Sequence, residues 1–246
     1  MHPHNTVSEV HGLCLSGGSA FGLDAASGVM HWLAERGKGV QVGPARVPIV
    51  PSAVIFDLTV GEPQHWPSAA MGRAACEAAS SEGAPSGNWG AGAGATVGKL
   101  HGPDQAMRGG FGQCELRLGP LRVLAWAVVN AVGDVWHPQR GVCLAGARQS
   151  PDSLSLVDVW QSASGDARPH HAWLGGNTTL GVVATNQTLT KSQAQRLAMS
   201  AHNGLAQSIK PVHTPYDGDT VFAFSTGTLD GEPDALRLGV MAAQAL

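Results

Sequence analysis

The sequence predicts a single domain with a layered α/β fold, and three observations lead to that prediction. Segments with helical amphipathicity alternate with short apolar strands along the 246 residues, and 43% of the residues are hydrophobic. The sequence has no evident internal repeat, and no linker separates it into two independent hydrophobic cores. Because each helix and each strand has an apolar face to bury, the elements are expected to pack on one another as layers.

Turn, cap and breaker residues bound the predicted elements. The first part of the chain is predicted to contain a strand at Val10–Leu15, a helix at Ser19–Arg36, a strand at Val47–Leu58, a helix at Pro67–Ser80, a glycine loop at Gly87–Gly98, and a hairpin of strands Gly112–Leu118 and Leu121–Val132. A polar stretch, residues 148–176, carries one short helical pattern at Leu154–Trp160. The last elements are a strand at Thr178–Asn186, a helix from the Thr190 capping box to Ile209, a strand at Val221–Ser225 and a helix at Asp234–Leu246.

Charge and composition exclude several classes of partner. The 15 Lys and Arg residues are balanced by 18 Asp and Glu residues, so a surface for nucleic acid or for anionic lipid is not expected. The longest apolar run, Val123–Val132, is far shorter than the roughly 20 residues of a membrane-spanning helix. The four cysteines form no CxxC pair and the 11 histidines form no HExxH or HxxxH pair, so no metal is expected. No signal-peptide pattern is visible, and we expect a cytoplasmic protein with free thiols.

The glycine loop matches nucleotide-binding loops in composition only. A phosphate loop needs Ser or Thr after Gly-Lys, but Leu100 follows Gly98-Lys99. A dinucleotide fingerprint needs a third glycine, but Ala95 and Val97 occupy the two places where it would fall. The sequence therefore predicts no nucleotide cofactor.

The junction Asn177-Thr178 is where the sequence first points to catalysis. A flexible Leu174-Gly175-Gly176 stretch runs directly into a buried strand there. A hydroxyl at the first position of that strand can attack the preceding carbonyl, pass through an ester that water resolves, and leave Thr178 as a new amino terminus. Its α-amine, with an ordinary pKa of about 7.7–8.0, is then a base beside its own hydroxyl. A strand that simply begins with Thr after a glycine turn explains the same residues.

Six segments, taken in order along the chain, resemble the DmpA-type family of aminopeptidases. The segments are Leu15–Leu23, Pro51–Leu58, Gly90–Lys99, Val128–Val135, Gly176–Asn186 and Pro211–Gly227. That family includes L-aminopeptidase/D-esterase, β-peptidyl aminopeptidases and the 6-aminohexanoate-oligomer hydrolase. The resemblance implies an αββα sandwich, which ornithine acetyltransferases share, and self-cleavage before a Ser or Thr that becomes the nucleophile.

The resemblance also assigns roles to single residues. It implies that Thr178 is the nucleophile and that scission of Asn177-Thr178 separates residues 1–177 from residues 178–246. Asn130 matches an amide near the acyl carbon, and its N–H can stabilise a developing oxyanion. Lys99 matches a lysine of the nylon-oligomer enzyme, where a cation lowers the pKa of the nucleophile's amine. Taken alone, Lys99 is more simply interpreted as a solvated loop end.

Five further positions complete the expected site. Asp217 and Asp219 match a carboxylate pair that orients the amine and hydroxyl of the nucleophile; without the other motifs, Asp217-Gly218 is simply a turn. Backbone N–H groups of Gly17 and Gly18 are candidates for the rest of the oxyanion hole. Phe56 stands where the family members compared have Tyr, so a phenolic donor is absent from the expected substrate pocket.

The expected function is hydrolysis of an amide bond in a small peptide, β-peptide, amino-acid amide or aliphatic oligoamide, without a cofactor. The resemblance implies a homo-oligomer of processed heterodimers. Family members carry a substantial segment before the strand that starts here at Val10, and this sequence does not contain it. Either the segment was lost, or the start is misassigned, or the sequence is a fragment; a missing strand would leave a sheet edge unpaired. Two alternatives stay open: an acyltransferase related to the ornithine acetyltransferases, and an inactive truncated remnant.

Overall fold

The computed structural model describes residues 2–150, 152–153 and 176–246. Four α-helices lie in these ranges: α1 (Asp24–Glu35), α2 (Ala69–Glu77), α3 (Lys191–Ser208) and α4 (Ala235–Ala245). The strands are β1 (Cys14–Ser16), β2 (Val40–Val42), β3 (Ala45–Val47), β4 (Ser52–Val54), β5 (Thr96–Val97), β6 (Met107–Arg108), β7 (Gly110–Leu118), β8 (Leu121–Asn130), β9 (Asp134–His137), β10 (Val142–Ala145), β11 (Thr178–Gln187), β12 (Ile209–Lys210) and β13 (Thr220–Leu229).

The central sheet has four strands in the order β13–β11–β8–β7. Strands β7 and β8 form a hairpin, β11 runs antiparallel to β8, and β13 runs parallel to β11. All but one residue of β11 are buried. A strand covered on both faces needs an almost continuous apolar run, and the stretch Leu180–Ala184 supplies it.

Four layers stack on one another. Helices α3 and α4 cover one face of the central sheet through a shared apolar core, which includes Val123, Val183, Leu197 and Met241. The parallel pair β1–β4 covers the other face through a second core, formed by Ile55, Ala95, Val128 and Leu180. Helices α1 and α2 lie outside that pair. This αββα order confirms the predicted architecture.

Two glycines allow α1 and α2 to pack in backbone contact. A Cβ atom on Gly28 would lie 1.8 Å from Ala69 O, and one on Gly72 would lie 1.9 Å from Ala25 O. No side chain fits at such distances, so both positions require glycine at the crossing.

Local signals predicted several elements correctly. The hairpin turns at Gly119-Pro120, and β11 begins at Thr178 as expected. The Thr190 capping box is present, with Gln193 as its reciprocal partner, and it opens α3. The predicted helix at Ser19–Arg36 begins instead as a 3₁₀ turn, Ser19–Leu23, before α1 starts.

Other predictions were wrong or incomplete. Of the strand predicted over Val47–Leu58, only β4 (Ser52–Val54) and Val47, the last residue of β3, lie in a sheet. Pro48 and Pro51, which lie between β3 and β4, have no N–H to donate to a sheet. The strand predicted over Val10–Leu15 is shorter and covers Cys14–Ser16. Strands β9 and β10 were not predicted. The helical pattern at Leu154–Trp160 lies outside the described residues.

Candidate active site

The first residue of β11 lies opposite the last residue of β8. In this antiparallel register Thr178 pairs with Asn130, and just before it Asn177 forms a parallel bridge with Asp217. Asn130 is completely buried, and Asn177 and Thr178 are 2% and 8% exposed. One end of the central sheet therefore brings together residues from three distant parts of the chain.

The Asn177-Thr178 peptide bond has donors aimed at its carbonyl. The Thr178 hydroxyl donates to Asn177 O with an oxygen–oxygen distance of 2.5 Å, and the Gly218 backbone N–H donates to the same oxygen at 2.8 Å. Both donors draw electron density from the carbonyl carbon, which makes it more electrophilic. A Cβ atom on Gly218 would lie 2.9 Å from Thr178 Oγ1, so a side chain there would press on the hydroxyl.

Asn130 connects the elements around this peptide bond. Its Oδ1 accepts from Lys99 Nζ at 2.7 Å and from the Thr96 backbone N–H at 3.0 Å. Its Nδ2 donates to Phe56 O at 3.0 Å and to Gly176 O at 3.4 Å. In the intact chain the amide hydrogens therefore bind backbone carbonyls, one of which precedes the Asn177-Thr178 bond by a single residue.

Lys99 lies inside the site and not at a solvated loop end. Its Nζ donates to Asn130 Oδ1, to Asn130 O at 3.2 Å and to Gly176 O at 3.4 Å. Burial lowers the pKa of the Lys99 amine from 10.5 to about 7, and the negative charge of Asp217 opposes part of that shift. The Lys99 amine therefore titrates near neutral pH, where charged and neutral forms are both present.

The two predicted aspartates bind backbone near Thr178, Asp219 at the next residue of β11 and Asp217 just beyond the end of β8. Asp219 Oδ1 accepts the Thr179 N–H at 2.6 Å, and its Oδ2 lies 2.7 Å from His213 Nδ1. Asp217 Oδ1 accepts the N–H of Val132 at 3.2 Å. Neither carboxylate accepts from the Thr178 hydroxyl, which donates to Asn177 O.

The segment around Asp217 contains both conformations that the sequence left open. A turn closes through the Asp217 N–H donating to Thr214 O at 3.0 Å, and the Asp217 carboxylate accepts the Thr214 hydroxyl at 2.6 Å. Beyond the turn the chain is extended into β13. Burial raises the pKa of Asp217, and the nearby Asp219 charge adds to that shift.

The backbone N–H of Gly18 is not free for an oxyanion. It donates to Asp57 Oδ1 at 2.6 Å, which corrects the expectation that both Gly17 and Gly18 offer their amides to substrate. The same carboxylate packs against Gly17, where a Cβ atom would lie 2.2 Å from Asp57 Oδ2. Phe56 takes part through its backbone carbonyl, which accepts from Asn130.

Sequence reasoning missed several residues of this site, namely Asp57, Thr96, Gly176, His213 and Gly218 as a backbone donor. Most of them act through main-chain atoms, which carry no residue-type signal. Of these residues, only Gly218 could have been predicted from the sequence. A glycine between two aspartates near the start of a strand indicates that another part of the chain packs closely against its backbone. Within the described residues, no group of three or more His, Cys, Asp or Glu side chains is arranged to hold a metal ion.

A sequence profile matches almost the whole chain. The profile is that of peptidase family S58, and it matches residues 1–245. The chain belongs to peptidase family S58. Among the described residues of this S58 member, no helix is long and apolar enough to cross a membrane.

Curated relatives of this S58 chain include two kinds of hydrolase. An uncharacterized aminopeptidase of Mycobacterium tuberculosis is 42% identical over 243 residues, which cover 96% of this chain and 67% of the relative. A 6-aminohexanoate-oligomer endohydrolase of Kocuria sp. is 34% identical over 226 residues, covering 89% of this chain and 61% of the relative. The chain thus spans about two thirds of the length of these relatives.

A solved structure shows the same fold. The L-aminopeptidase D-Ala-esterase/amidase of Ochrobactrum anthropi superposes with a TM-score of 0.61 at 19% identity, over 92% of this chain and 61% of that one. It is described as a prototype for the serine aminopeptidases and as a new variant of the Ntn-hydrolase fold. At this identity the likeness establishes the fold.

Proposed function

We propose that this chain cleaves itself between Asn177 and Thr178 and then hydrolyses amide bonds with Thr178 as the nucleophile. One observation carries the proposal: the Thr178 hydroxyl lies 2.5 Å from Asn177 O, and the Gly218 N–H binds the same carbonyl oxygen. Membership of peptidase family S58 supports amide hydrolysis as the reaction.

The first step exchanges an amide for an ester. Thr178 Oγ1 attacks the carbonyl carbon of Asn177, the C–N bond breaks, and the hydroxyl proton passes to the nitrogen of Thr178. Negative charge develops on Asn177 O during the attack. The Gly218 N–H is already in place to stabilise it, and a contact of this kind is worth about 2.7–4 kcal/mol. Water then hydrolyses the ester and leaves Thr178 with a free α-amine and a free hydroxyl.

Scission then makes Asn130 available to substrate. In the intact chain one Asn130 N–H is used on Gly176 O, a group of the amino-terminal part. Once that part ends at Asn177, its last residues can move, and the carbonyl oxygen of a substrate takes the place of Gly176 O. The Thr178 amine accepts the hydroxyl proton, Oγ1 attacks, and Asn130 stabilises the oxyanion. The substrate C–N bond then breaks, and the leaving amine takes the proton from the Thr178 ammonium. Water hydrolyses the acyl ester, which gives a free carboxylic acid and returns the hydroxyl to Thr178.

Lys99 keeps this constellation reactive near neutral pH. Its amine donates to Asn130 Oδ1 and so orients the amide with its hydrogens toward the reacting carbonyl. With a pKa of about 7, Lys99 carries only part of a positive charge at neutral pH. The charge that remains lowers the pKa of the nearby Thr178 α-amine, which must be neutral to act as a base.

The substrates proposed are peptides with a free amino terminus, β-peptides, amino-acid amides and short aliphatic oligoamides. The names of the relatives support this class, because an aminopeptidase and an oligoamide endohydrolase both cleave unactivated amides. A homo-oligomer of processed heterodimers in the cytoplasm is part of the same proposal. Phe56 supplies no phenolic hydroxyl, so substrate binding relies on other donors.

Mass spectrometry of the purified protein tests the proposal. We expect two chains that correspond to residues 1–177 and 178–246, with Edman degradation reading Thr-Thr-Leu-Gly from the second. Turnover is measured with amino-acid p-nitroanilides and a 6-aminohexanoate oligomer, with and without added ornithine. An amide formed on an amine of ornithine would indicate acyl transfer in place of hydrolysis. Active protein that remains a single 25.3 kDa chain would contradict the mechanism.

A further inference from the structure

The side chain of Asn177 leaves one polar atom without a partner at the cleaved bond. Asn177 is 2% exposed, and its Nδ2 donates to Tyr216 O at 3.4 Å. Its Oδ1 has no hydrogen-bond partner among the residues that the structure describes. Because Tyr216 O can only accept, the amide nitrogen must face it, and Oδ1 is left as an acceptor that needs a donor.

This orphaned acceptor belongs to the residue whose carbonyl carbon reacts. Only four covalent bonds separate Asn177 Oδ1 from that carbon. The carbonyl oxygen is occupied by the Gly218 N–H and the Thr178 hydroxyl. A small donor that binds Oδ1 would therefore lie within reach of the carbon without displacing either contact. Buried polar groups almost always have a partner, so this acceptor calls for a donor, and its place beside the reacting carbon suits a donor that takes part in the reaction.

We infer that Asn177 Oδ1 positions the water molecule that resolves the ester formed by Thr178. The inference rests on the proposed self-cleavage. It assigns to Asn177, the residue before the nucleophile, a role in the second step of that reaction, the hydrolysis of the ester. Water fits because it is small and has two O–H groups, one to donate to Oδ1 and one to give up as a proton. It is also the reactant that ester hydrolysis requires.

The proposed step balances in atoms and protons. One hydrogen of the water binds Asn177 Oδ1, and the other passes to the Thr178 α-amine that the first step has released. The water oxygen attacks the ester carbon, and the Gly218 N–H stabilises the resulting oxyanion. The bond from the carbon to Thr178 Oγ1 then breaks, and Oγ1 takes its proton from the Thr178 ammonium. The products are a carboxylic acid at Asn177 and a free Thr178.

In this role Asn177 is a positioning residue, because an amide oxygen is too weak a base to remove the proton itself. Removing the acceptor should leave the first step intact and slow the second. The ester then accumulates in equilibrium with the amide. Hydroxylamine separates the two, because it cleaves esters readily at neutral pH and leaves ordinary peptide bonds intact.

Three variants isolate the acceptor. Asn177→Leu keeps the approximate shape without an acceptor, Asn177→Ala removes the side chain without adding an apolar body, and Asn177→Asp keeps an acceptor oxygen. Thr178→Ala, which cannot form an ester, sets the baseline for hydroxylamine. Each protein is incubated with and without hydroxylamine, denatured and analysed by mass spectrometry. Thermal melting identifies any variant that is not folded.

We expect Asn177→Leu and Asn177→Ala to self-cleave about tenfold more slowly or worse than the unsubstituted chain. Hydroxylamine should cut both at residue 177 and leave a hydroxamate there, while Asn177→Asp should be cleaved in buffer alone with a free carboxyl group. If Asn177→Leu does not fold, Asn177→Ala alone tests whether the acceptor oxygen is needed for ester hydrolysis.

Two outcomes overturn the inference: cleavage of the Leu or Ala variant at the unsubstituted rate, or a folded, uncleaved variant that hydroxylamine does not cut. In the second case the defect precedes the ester. Failure of the proposed function looks different, because the unsubstituted chain itself would then stay intact or Thr178→Ala would still be cleaved.

Discussion

Lys99 Nζ lies 2.7 Å from Asn130 Oδ1, and this hydrogen bond joins the glycine-rich segment to the end of β8 directly opposite Thr178. Neither residue can be changed without affecting the other, because the buried lysine and the buried amide are each other's nearest polar partners. The contact also orients Asn130 Nδ2 toward Gly176 O, the carbonyl one residue before that of Asn177. Processing and turnover are therefore expected to depend on these residues to different degrees.

Replacing Thr178 tests the nucleophile directly. Thr178→Ala removes the hydroxyl that we propose as the attacking group, so we expect no self-cleavage and turnover at background. Thr178→Ser keeps a hydroxyl at the same position and should be cleaved. The measurement is chain composition by denaturing electrophoresis, together with amide hydrolysis. Full activity in the Ala variant would exclude Thr178 as the nucleophile.

Gly218 is expected to be essential for self-cleavage. In Gly218→Ala the new methyl group would lie 2.9 Å from Thr178 Oγ1, and it would rotate the hydroxyl or push the 218 N–H away from Asn177 O. Losing one such donor is expected to slow cleavage about 10²–10³-fold. The rate is measured as the disappearance of the intact chain after synthesis.

A matched control for that substitution is Gly112→Ala in β7. Among the residues that the structure describes, no atom lies within 4 Å of the Cβ position of Gly112, so an alanine there meets no neighbour in this part of the chain. We expect this variant to self-cleave at the normal rate. If both glycine variants are cleaved normally, Gly218 has no role in polarising the Asn177 carbonyl.

Signals that lie within a few residues of one another explain the parts of the fold that could be predicted. The Gly119-Pro120 turn fixes the β7–β8 hairpin, and the Thr190 capping box fixes the start of α3. Thr178 was placed at the start of a buried strand because a glycine stretch meets an apolar run there. Each of these features depends on residues adjacent in sequence, so periodicity and cap chemistry are sufficient.

Contacts between distant main-chain atoms explain what could not be predicted. Asn130 binds Phe56 O across 74 positions of sequence, and Gly18 N–H binds Asp57 across 39. Every residue except proline has the same backbone carbonyl and N–H, so these groups carry no residue-type signal. The sequence therefore gives no indication that the Gly18 N–H is bound by Asp57. The family resemblance named Lys99 and Asn130 but did not supply the bond between them.

Asn130 is expected to matter more for turnover than for self-cleavage. In the intact chain the Asn177 carbonyl binds Gly218 and Thr178, whereas Asn130 binds Gly176 O. Asn130→Asp keeps the acceptor for Lys99 and removes the N–H donors, so we expect cleavage within about tenfold of normal and a loss of kcat of about 10²–10³-fold. Equal losses in both reactions would contradict this division of roles.

Gly28 sets the distance between α1 and α2. An alanine there gains about 1 kcal/mol of helix propensity, but its methyl group would lie 1.8 Å from Ala69 O and forces the helices apart. Overpacking of this kind costs about 1–3 kcal/mol, and the upper end applies because the clash is with backbone. After the gain in helix propensity, we expect Gly28→Ala to lower the free energy of unfolding by about 2 kcal/mol. Urea unfolding in the Thr178→Ala background, which keeps one chain, measures it. Gly112→Ala should change stability little, and an unchanged midpoint for Gly28→Ala would refute the close crossing.

Burial of Lys99 predicts a stability that rises with pH. In the folded protein Lys99 loses its proton near pH 7, whereas the unfolded chain keeps it up to the ordinary value of 10.5. Between these values the unfolded chain binds more protons, so the free energy of unfolding increases with pH. Below pH 7 both states are protonated and the contribution of Lys99 is constant.

Lys99→Met removes this titration while keeping most of the apolar stem. We compare the unfolding free energy of the protein that keeps Lys99 with that of the Lys99→Met variant, both carrying Thr178→Ala. The difference is expected to be flat below pH 7 and to rise in favour of Lys99 toward pH 10.5. Asp217 is present in both proteins, so its own titration largely cancels in the difference. Urea unfolding at several pH values measures the slope. A difference that does not change with pH would mean that Lys99 keeps an ordinary pKa in the folded protein, and its proposed role beside Thr178 would be lost.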